Sequence, residues 1–167
     1  MKNKSLKIPV IIIAIGLILA VATYFLTSVQ KKPTVTEQDF EYSVTYKVDG
    51  ETKTFEGVYT CRFDGFGDNG IDPLTRYYVG EYTVDGITTP SRGYTIAEKD
   101  GYTLDIITLF DDFYLMGDKE NDSNNKLEDP CLEAMDAEGY QYDETELPAV
   151  FDAEIVSWEY PEPIENN

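Results

Sequence analysis

The sequence predicts an all-β fold, an antiparallel sandwich or open barrel of about six or seven strands between residues 40 and 160. Three Asp-Gly pairs, at residues 49–50, 85–86 and 100–101, each separate two strand-like runs, and this pair is preferred in two-residue hairpin turns. Apolar and polar residues alternate over residues 40–48, as in a strand with one buried face. The chain also has 13 tyrosines, which favour strands.

The register of the first hairpin follows from its turn. If Asp49-Gly50 is the two-residue loop, the apolar residues of both strands fall on one face, which also carries Cys61. The opposing pairs are then Val48 with Glu51, Val44 with Phe55, Tyr42 with Gly57 and Phe40 with Tyr59.

The second hairpin begins with a strand over residues 74–84. In this strand Tyr77 and Tyr78 are adjacent and point to opposite faces, so only one of them can be a core residue. Pro90 lacks an N–H group, so it predicts that the return strand lies at a sheet edge or contains a bulge.

The remaining elements are three strands and one helix. The sequence predicts a central strand over residues 102–110, a further strand over residues 113–116 and a last strand over residues 149–160. The alternation of the last strand slips at Ile155-Val156, which indicates a bulge.

One short helix is predicted near residues 130–138. Asp129 is suited to the N-cap, Pro130 to the first helical position and Gly139 to the position just past the end. Leu132 and Met135 would then be its buried contacts.

An uncharged apolar run covers residues 8–29, ahead of the β domain. As a helix it would extend roughly 33 Å, enough to cross a hydrocarbon core of about 30 Å. Lysines are more numerous before the run than after it, so residues 1–7 are expected in the cytoplasm and the domain outside. The alternative is a signal peptide cleaved after Ala22, because Ala20-Val21-Ala22 fits the cleavage pattern.

The chain is therefore expected to be a single-pass protein of the cell membrane with a signal anchor. A spacer over residues 30–39 joins the helix to the extracytoplasmic β domain, and residues 161–167 form a solvated acidic tail. Such a short spacer keeps any protein or envelope-polymer partner close to the bilayer.

Charge is divided sharply along the chain. The first 32 residues contain five lysines and no acid, whereas the rest has eight lysines and arginines against 32 carboxylates, a formal net charge of −24. This charge repels phosphate groups, so a nucleic-acid partner is excluded.

The residues needed for most catalytic and metal sites are missing from the sequence. The chain has no histidine, which removes the usual general base, most nucleophilic triads and nearly every zinc site. No catalytic, cofactor-binding or metal-ligating residue is therefore assigned. The sequence predicts a non-catalytic binding or accessory module at the cell surface. The alternatives are a carboxylate-based hydrolase of an envelope polymer and a calcium-stabilised structural domain.

Two site hypotheses remain, a disulfide bond and a calcium site. The even cysteine count permits one disulfide between Cys61 and Cys131, and a pair of buried free thiols is the alternative. Calcium requires clustered oxygen ligands, which two acidic loops could supply. The first loop contains Asp64, Asp68, Asn69 and Asp72. The second loop contains Glu120, Asp122, Asn124 and Leu127.

Overall fold

The structure is a computed structural model that describes residues 15–19, 32–67, 75–118 and 127–165. The chain divides into two units, one comprising Met1–Lys32 with Phe66–Thr75 and the other Pro33–Gly65 with Arg76–Asn167.

In the first unit, residues 15–19 are helical and their side chains are exposed. The N–H of Gly67 donates a hydrogen bond to the carbonyl of Thr75, at 3.1 Å. Among the described residues, no helix has the length and hydropathy needed to cross a bilayer. Apart from residues 15–19, the predicted span over residues 8–29 lies outside the described residues.

In the second unit, the described residues form two antiparallel sheets. Sheet A has the strand order β4-β3-β2-β1-β9, and sheet B has the order β5-β6-β7-β8. The strands are β1 (Glu37–Val48), β2 (Glu51–Phe66), β3 (Arg76–Val84), β4 (Ile87–Thr89), β5 (Gly93–Lys99), β6 (Tyr102–Ile107), β7 (Cys131–Asp136), β8 (Gln141–Tyr142) and β9 (Ala153–Glu159). The all-β prediction is confirmed, although the described residues contain nine strands rather than six or seven. The predicted return strand of the second hairpin is divided near Pro90 into β4 of sheet A and β5 of sheet B. The sequence does not predict strands β7 and β8.

The hairpin turns match the prediction. Asp49 and Gly50 have φ angles of 49° and 82°, and the other two Asp-Gly pairs are similar. Two successive positive φ angles are the signature of a type I′ turn. The pairing of β1 with β2 has the predicted register throughout, from Val48 opposite Glu51 to Phe40 opposite Tyr59. Local turn chemistry and a period of two therefore determine this hairpin.

Aromatic side chains dominate the core between the sheets. Five tyrosines are buried, at positions 42, 46, 59, 78 and 82, whereas Tyr77 is 39 % exposed, as the adjacent pair predicted. The Phe110 ring contacts the rings of Tyr42 and Tyr59, with centroids 5.0 Å apart in each case. Large rings fit here because glycines lie beside two of them. A Cβ at Gly57 would overlap the Tyr42 ring, and one at Gly80 would overlap the Tyr59 ring.

The edge and the bulge also lie where the sequence predicts them. β4 is an edge strand of sheet A, and Pro90 follows it directly. The register between β1 and β9 shifts between Thr45 and Tyr46, which are opposite Ser157 and Ile155. Val156 is consequently the extra residue of a bulge.

The helix prediction is wrong, because residues 131–136 form strand β7. Leu132 and Ala134 are buried, whereas Met135 is 39 % exposed. The buried residues are therefore two positions apart, as in a strand, and not three or four apart, as in a helix. Strand β6 pairs with all of β7, and this ladder outweighs the helix-start signal of Asp129 and Pro130.

The predicted strand over residues 113–116 is also wrong. This segment contains helix α1 (Asp112–Leu115), whose N-cap Asp111 accepts hydrogen bonds from the N–H groups of Phe113 and Tyr114. Strand β6 ends at Ile107 rather than at the predicted residue 110, and the chain leaves the sheet before α1.

Both ends of the β domain differ from the prediction. Strand β1 begins at Glu37, inside the predicted spacer, and Val35 packs against the core. In the predicted solvated tail, Pro161 is buried and the Ile164 N–H donates to the carbonyl of Leu115, at 2.8 Å. The tail is therefore held against the domain as far as Ile164.

Candidate binding groove

A groove of about 1180 Å³ crosses the outer face of sheet A. Side chains alternate between the two faces of a strand. Because Tyr42 and Phe55 point into the core, Glu41 and Glu56 point outward. Thr83 of β3 and the residues that follow β9 complete the lining.

The groove is lined by carboxylates and, among the described residues, by no lysine or arginine. All six of these carboxylate side chains are exposed, and none forms an ion pair with a described basic residue. We call this surface the acidic groove. Its carboxylates are Asp39, Glu41, Glu56, Asp85, Glu159 and Glu162.

Two of these carboxylates are held in place by hydroxyl groups. The Thr60 hydroxyl donates to Asp39, at 2.7 Å, and the Tyr94 hydroxyl donates to Asp85, at 2.7 Å. The bond to Asp85 raises the pKa of Tyr94 to about 12, because ionisation would place a second negative charge beside the carboxylate.

At one end of the groove, β9 leaves the sheet. The Tyr160 hydroxyl donates to Asp129, at 2.7 Å, and burial together with this bond raises the pKa of Tyr160. Pro161 follows and has no N–H to continue a ladder. As a result β9 pairs only with residues 43–48 of β1.

Two further carboxylates are shielded from solvent, Asp112 in part and Asp118 almost completely. The Asp112 carboxylate accepts hydrogen bonds from the Tyr59 hydroxyl and from the Cys61 thiol, the latter at 3.6 Å. Burial raises the pKa of Asp112 above its ordinary value, although both hydrogen bonds act in the opposite direction. Burial and the neighbouring Asp112 raise the pKa of Cys61, so this thiol, which is 0 % exposed, is a poor nucleophile.

The other carboxylate is Asp118, which is buried, at 1 % exposed, whereas Asp112 is half-buried. It forms an ion pair with Arg76, at 3.5 Å, and accepts a hydrogen bond from the Tyr78 hydroxyl, at 3.2 Å. Nearby, the Tyr82 hydroxyl donates to the carbonyl of Thr108, at 3.0 Å. Tyrosine hydroxyls of sheet A thus hold residues 108–118 in place, and the arrangement is structural.

The two cysteines are free thiols in the structure. Cys61 is buried on the core face of sheet A. Cys131 alternates with the buried Leu132 and Ala134 of β7, so it points away from the core. The disulfide that the sequence permits is not formed here, because the two side chains point to different sides of sheet B.

The calcium hypothesis concerns loops that are largely outside the described residues, which include only Asp64 of the first loop and Leu127 of the second. Within the described ranges, no group of three or more acidic or cysteine side chains is arranged to hold a metal ion. The calcium hypothesis stays a prediction.

The role of Asp112 can be tested by two substitutions. Asp112→Ala leaves the Tyr59 hydroxyl and Cys61 thiol without their acceptor, so we expect a loss of about 3 kcal/mol in the free energy of unfolding. Asp112→Asn keeps an acceptor oxygen and should cost much less at pH 7. Urea denaturation at several pH values measures both effects.

The pH dependence of stability distinguishes an effect of the Asp112 charge from a simple packing role of its side chain. Because the folded pKa of Asp112 is raised, its contribution to stability is full below the unfolded pKa of about 4 and is lost as the pH rises through the folded pKa. Asp112→Asn should remove this decline. Glu98→Gln, which removes the charge of an exposed carboxylate, is the control. An Asp112→Asn variant as unstable as Asp112→Ala would contradict the assignment.

Sequence reasoning did not identify the acidic groove. The alternation of β1 did place Glu41 on an outward face, but the lining residues come from strands and a tail far apart in the chain. Comparisons of the chain with protein-family models, with curated proteins and with solved structures find no match.

Proposed function

We propose that the chain is a non-catalytic binding module of the cell surface, anchored by a membrane helix over residues 8–29, and that it binds a positively charged partner in the acidic groove. The observation that carries this proposal is the set of six exposed carboxylates without a basic residue among the described lining. A concave surface of one charge attracts ligands of the opposite charge and orients them.

The anchor is supported by the 22-residue uncharged run and by the lysines on both sides of it. With residues 1–7 in the cytoplasm, the domain lies outside the cell. Strand β1 begins at Glu37, only eight residues after the end of the apolar run at residue 29. The short connection, at most roughly 25–30 Å when extended, keeps the groove and its partner near the bilayer.

Topology is tested in intact spheroplasts that carry the full chain. We expect added protease to digest the β domain while the undigested protein sediments with membranes. A soluble product that begins at Thr23 would instead establish cleavage after Ala22.

Binding is tested with a hexalysine probe and the full chain in an uncharged detergent. We expect the double variant Glu41→Lys with Glu56→Lys to bind at least about tenfold more weakly than the wild type. The matched control is Glu138→Lys with Glu144→Lys, which makes the same charge change at exposed positions outside the groove. If both double variants lose affinity equally, the net charge of the domain attracts the probe and the groove is not a site.

A carboxylate-based hydrolase of an envelope polymer is the second candidate. Glu56 and Glu159 are both opposite Ser43, on its two sides, so their Cα atoms are separated by about 10 Å, or two strand spacings. The Tyr160 ring lines the same groove, and an aromatic ring at this place could stack on a sugar.

The binding function is favoured because a general acid must be kept protonated, usually by burial, and both carboxylates are exposed. The two functions are separated by incubating the full chain with isolated envelope polysaccharide. Release of reducing ends that is lost in Glu56→Gln or Glu159→Gln would establish the hydrolase. The absence of products would favour the binding module.

A further inference from the structure

Strand β1 has one side that is only half paired. Strand β2 pairs with all of β1, from Glu37 to Val48, whereas β9 pairs only from Ser43 to Val48. No other strand of the described chain pairs with residues 37–42 on that side. We call this unpaired side of residues 37–42 the open edge.

The hydrogen bonds on either side of β1 reveal which backbone groups face the open edge. The Phe63 N–H donates to the carbonyl of Thr36, at 2.8 Å, so even-numbered residues here direct their polar groups toward β2. The Asp49 N–H donates to the carbonyl of Asp152, at 2.8 Å, so odd-numbered residues face the β9 side. By this period of two, the N–H and C=O groups of Glu37, Asp39 and Glu41 point into the open edge.

The side chains beside the open edge differ between the two faces of the sheet. Glu37, Asp39 and Glu41 are exposed on the outer face, and Asp39 and Glu41 line the acidic groove. On the core face, Phe40 and Tyr42 are buried. A strand added here would need basic side chains on one face and apolar side chains on the other, in strict alternation.

From this geometry we infer that the partner binds by strand addition, as an extended peptide segment that alternates basic and apolar residues and pairs with the open edge of β1. The inference rests on the proposed function and specifies its partner. The peptide runs antiparallel to β1, as all neighbouring strands do. Its backbone bonds to Glu37, Asp39 and Glu41, and at Asp39 it replaces the Gln38 amide, which donates to that carbonyl at 2.9 Å. Its basic side chains lie beside the three carboxylates.

A second copy of this chain does not fit the open edge. Pairing two such edges would place the carboxylates of Glu37, Asp39 and Glu41 against those of the other copy, and each domain has a net charge of −24. Charges along an exposed edge prevent self-pairing, whereas they favour a segment of opposite charge.

The test uses the full chain in an uncharged detergent and a capped peptide that alternates lysine and valine over the length of the open edge. In this register the lysine N–H groups face β1 and the valine N–H groups face away. N-methylation of the lysine amides should weaken binding at least about tenfold. N-methylation of the valine amides, the matched control, should change affinity by less than about threefold. The amide exchange of Asp39 and Glu41 should slow when the unmodified peptide binds.

A pair of protein variants tests the same contact from the other side. Glu41→Pro removes an N–H that faces the open edge, at a position where the β1–β2 ladder does not use it, and Glu41→Gln removes only the charge. We expect Glu41→Pro to bind at least about tenfold more weakly than Glu41→Gln, with both variants folded by circular dichroism. An unfolded Glu41→Pro variant would contradict the hydrogen-bond parity on which the inference rests.

The outcomes separate this inference from the proposed function. If both N-methylated peptides bind equally, or if the two Glu41 variants behave alike, strand addition is overturned while charge-driven binding in the groove stands. If neither hexalysine nor the alternating peptide binds, both are overturned. Self-association of the chain without peptide, with slow exchange at Asp39 and Glu41, would show that a second copy occupies the edge and would overturn the inference.

Discussion

Raising the pH from 9 to 12 should unfold the β domain cooperatively. Tyr78 and Tyr82 are 8 % and 6 % exposed, and burial raises the pKa of each to about 12. An unfolded tyrosine ionises near pH 10. Each contribution to stability is therefore complete below about pH 10 and is lost as the pH rises to about 12.

The expected loss is about 2–3 kcal/mol for each of these two tyrosines, since one pKa unit corresponds to about 1.4 kcal/mol. Burial also raises the pKa of Tyr42, Tyr46 and Tyr59, so the total is larger and is comparable to the stability of an ordinary domain. Tyrosinate absorbance and circular dichroism should change together, because the buried tyrosines ionise only when the domain unfolds.

Phenylalanine variants identify the tyrosines responsible. Tyr78→Phe should make the decline in the free energy of unfolding between pH 10 and 12 shallower, because it removes one ionisable hydroxyl. Tyr140→Phe is the control, since Tyr140 is 68 % exposed, and it should leave the decline unchanged. A wild-type stability that does not change between pH 9 and 12 would show that the hydroxyls are not held as the structure has them.

Gly80→Ala should be the most damaging single addition of a methyl group in sheet A. The added Cβ would overlap the hydroxyl and the ring of Tyr59, and this hydroxyl is bonded to Asp112. Overpacking costs about 1–3 kcal/mol, and loss of a hydrogen bond to a carboxylate costs about 1.5–3 kcal/mol. We expect a total loss of about 3 kcal/mol, measured by urea denaturation.

Two comparisons show whether Tyr59 is the cause. Glu81→Ala, an exposed position next along the same strand, should change stability by less than about 0.5 kcal/mol. In a Tyr59→Leu background, Gly80→Ala should cost less than about 1 kcal/mol, because the obstructing ring is gone. An equal cost in both backgrounds would mean that the backbone of β3, and not the Tyr59 ring, requires glycine at this position.

The sequence by itself predicts the all-β class, the three Asp-Gly hairpin turns and the full register of β1 with β2. It also locates the edge near Pro90 and the bulge near Ile155-Val156. These features depend on interactions within a few residues or on the alternation of one strand, so a linear sequence contains the information needed to predict them.

Tertiary structure decides the features for which local signals compete or are absent. Residues 131–136 have a helix-start signal before them, but pairing with β6 makes them a strand. Residues 112–115 have strand-forming side chains, but the Asp111 cap makes them a helix. In the first case long-range hydrogen bonds outweigh intrinsic propensity. In the second the cap is a local signal, which competes with the strand-forming side chains.

The acidic groove and the surroundings of Asp112 are likewise decided by tertiary structure. Glu56 and Glu159 are 103 positions apart in the chain, and they flank Ser43 only because β1 lies between β2 and β9. Among 32 acidic residues, nothing local distinguishes Asp112 from an exposed carboxylate. Its hydrogen bonds with Tyr59 and Cys61 form only when α1 packs on sheet A. The exposure of a side chain and its hydrogen-bond partners depend on the folded structure, so the sequence around a single residue does not reveal them.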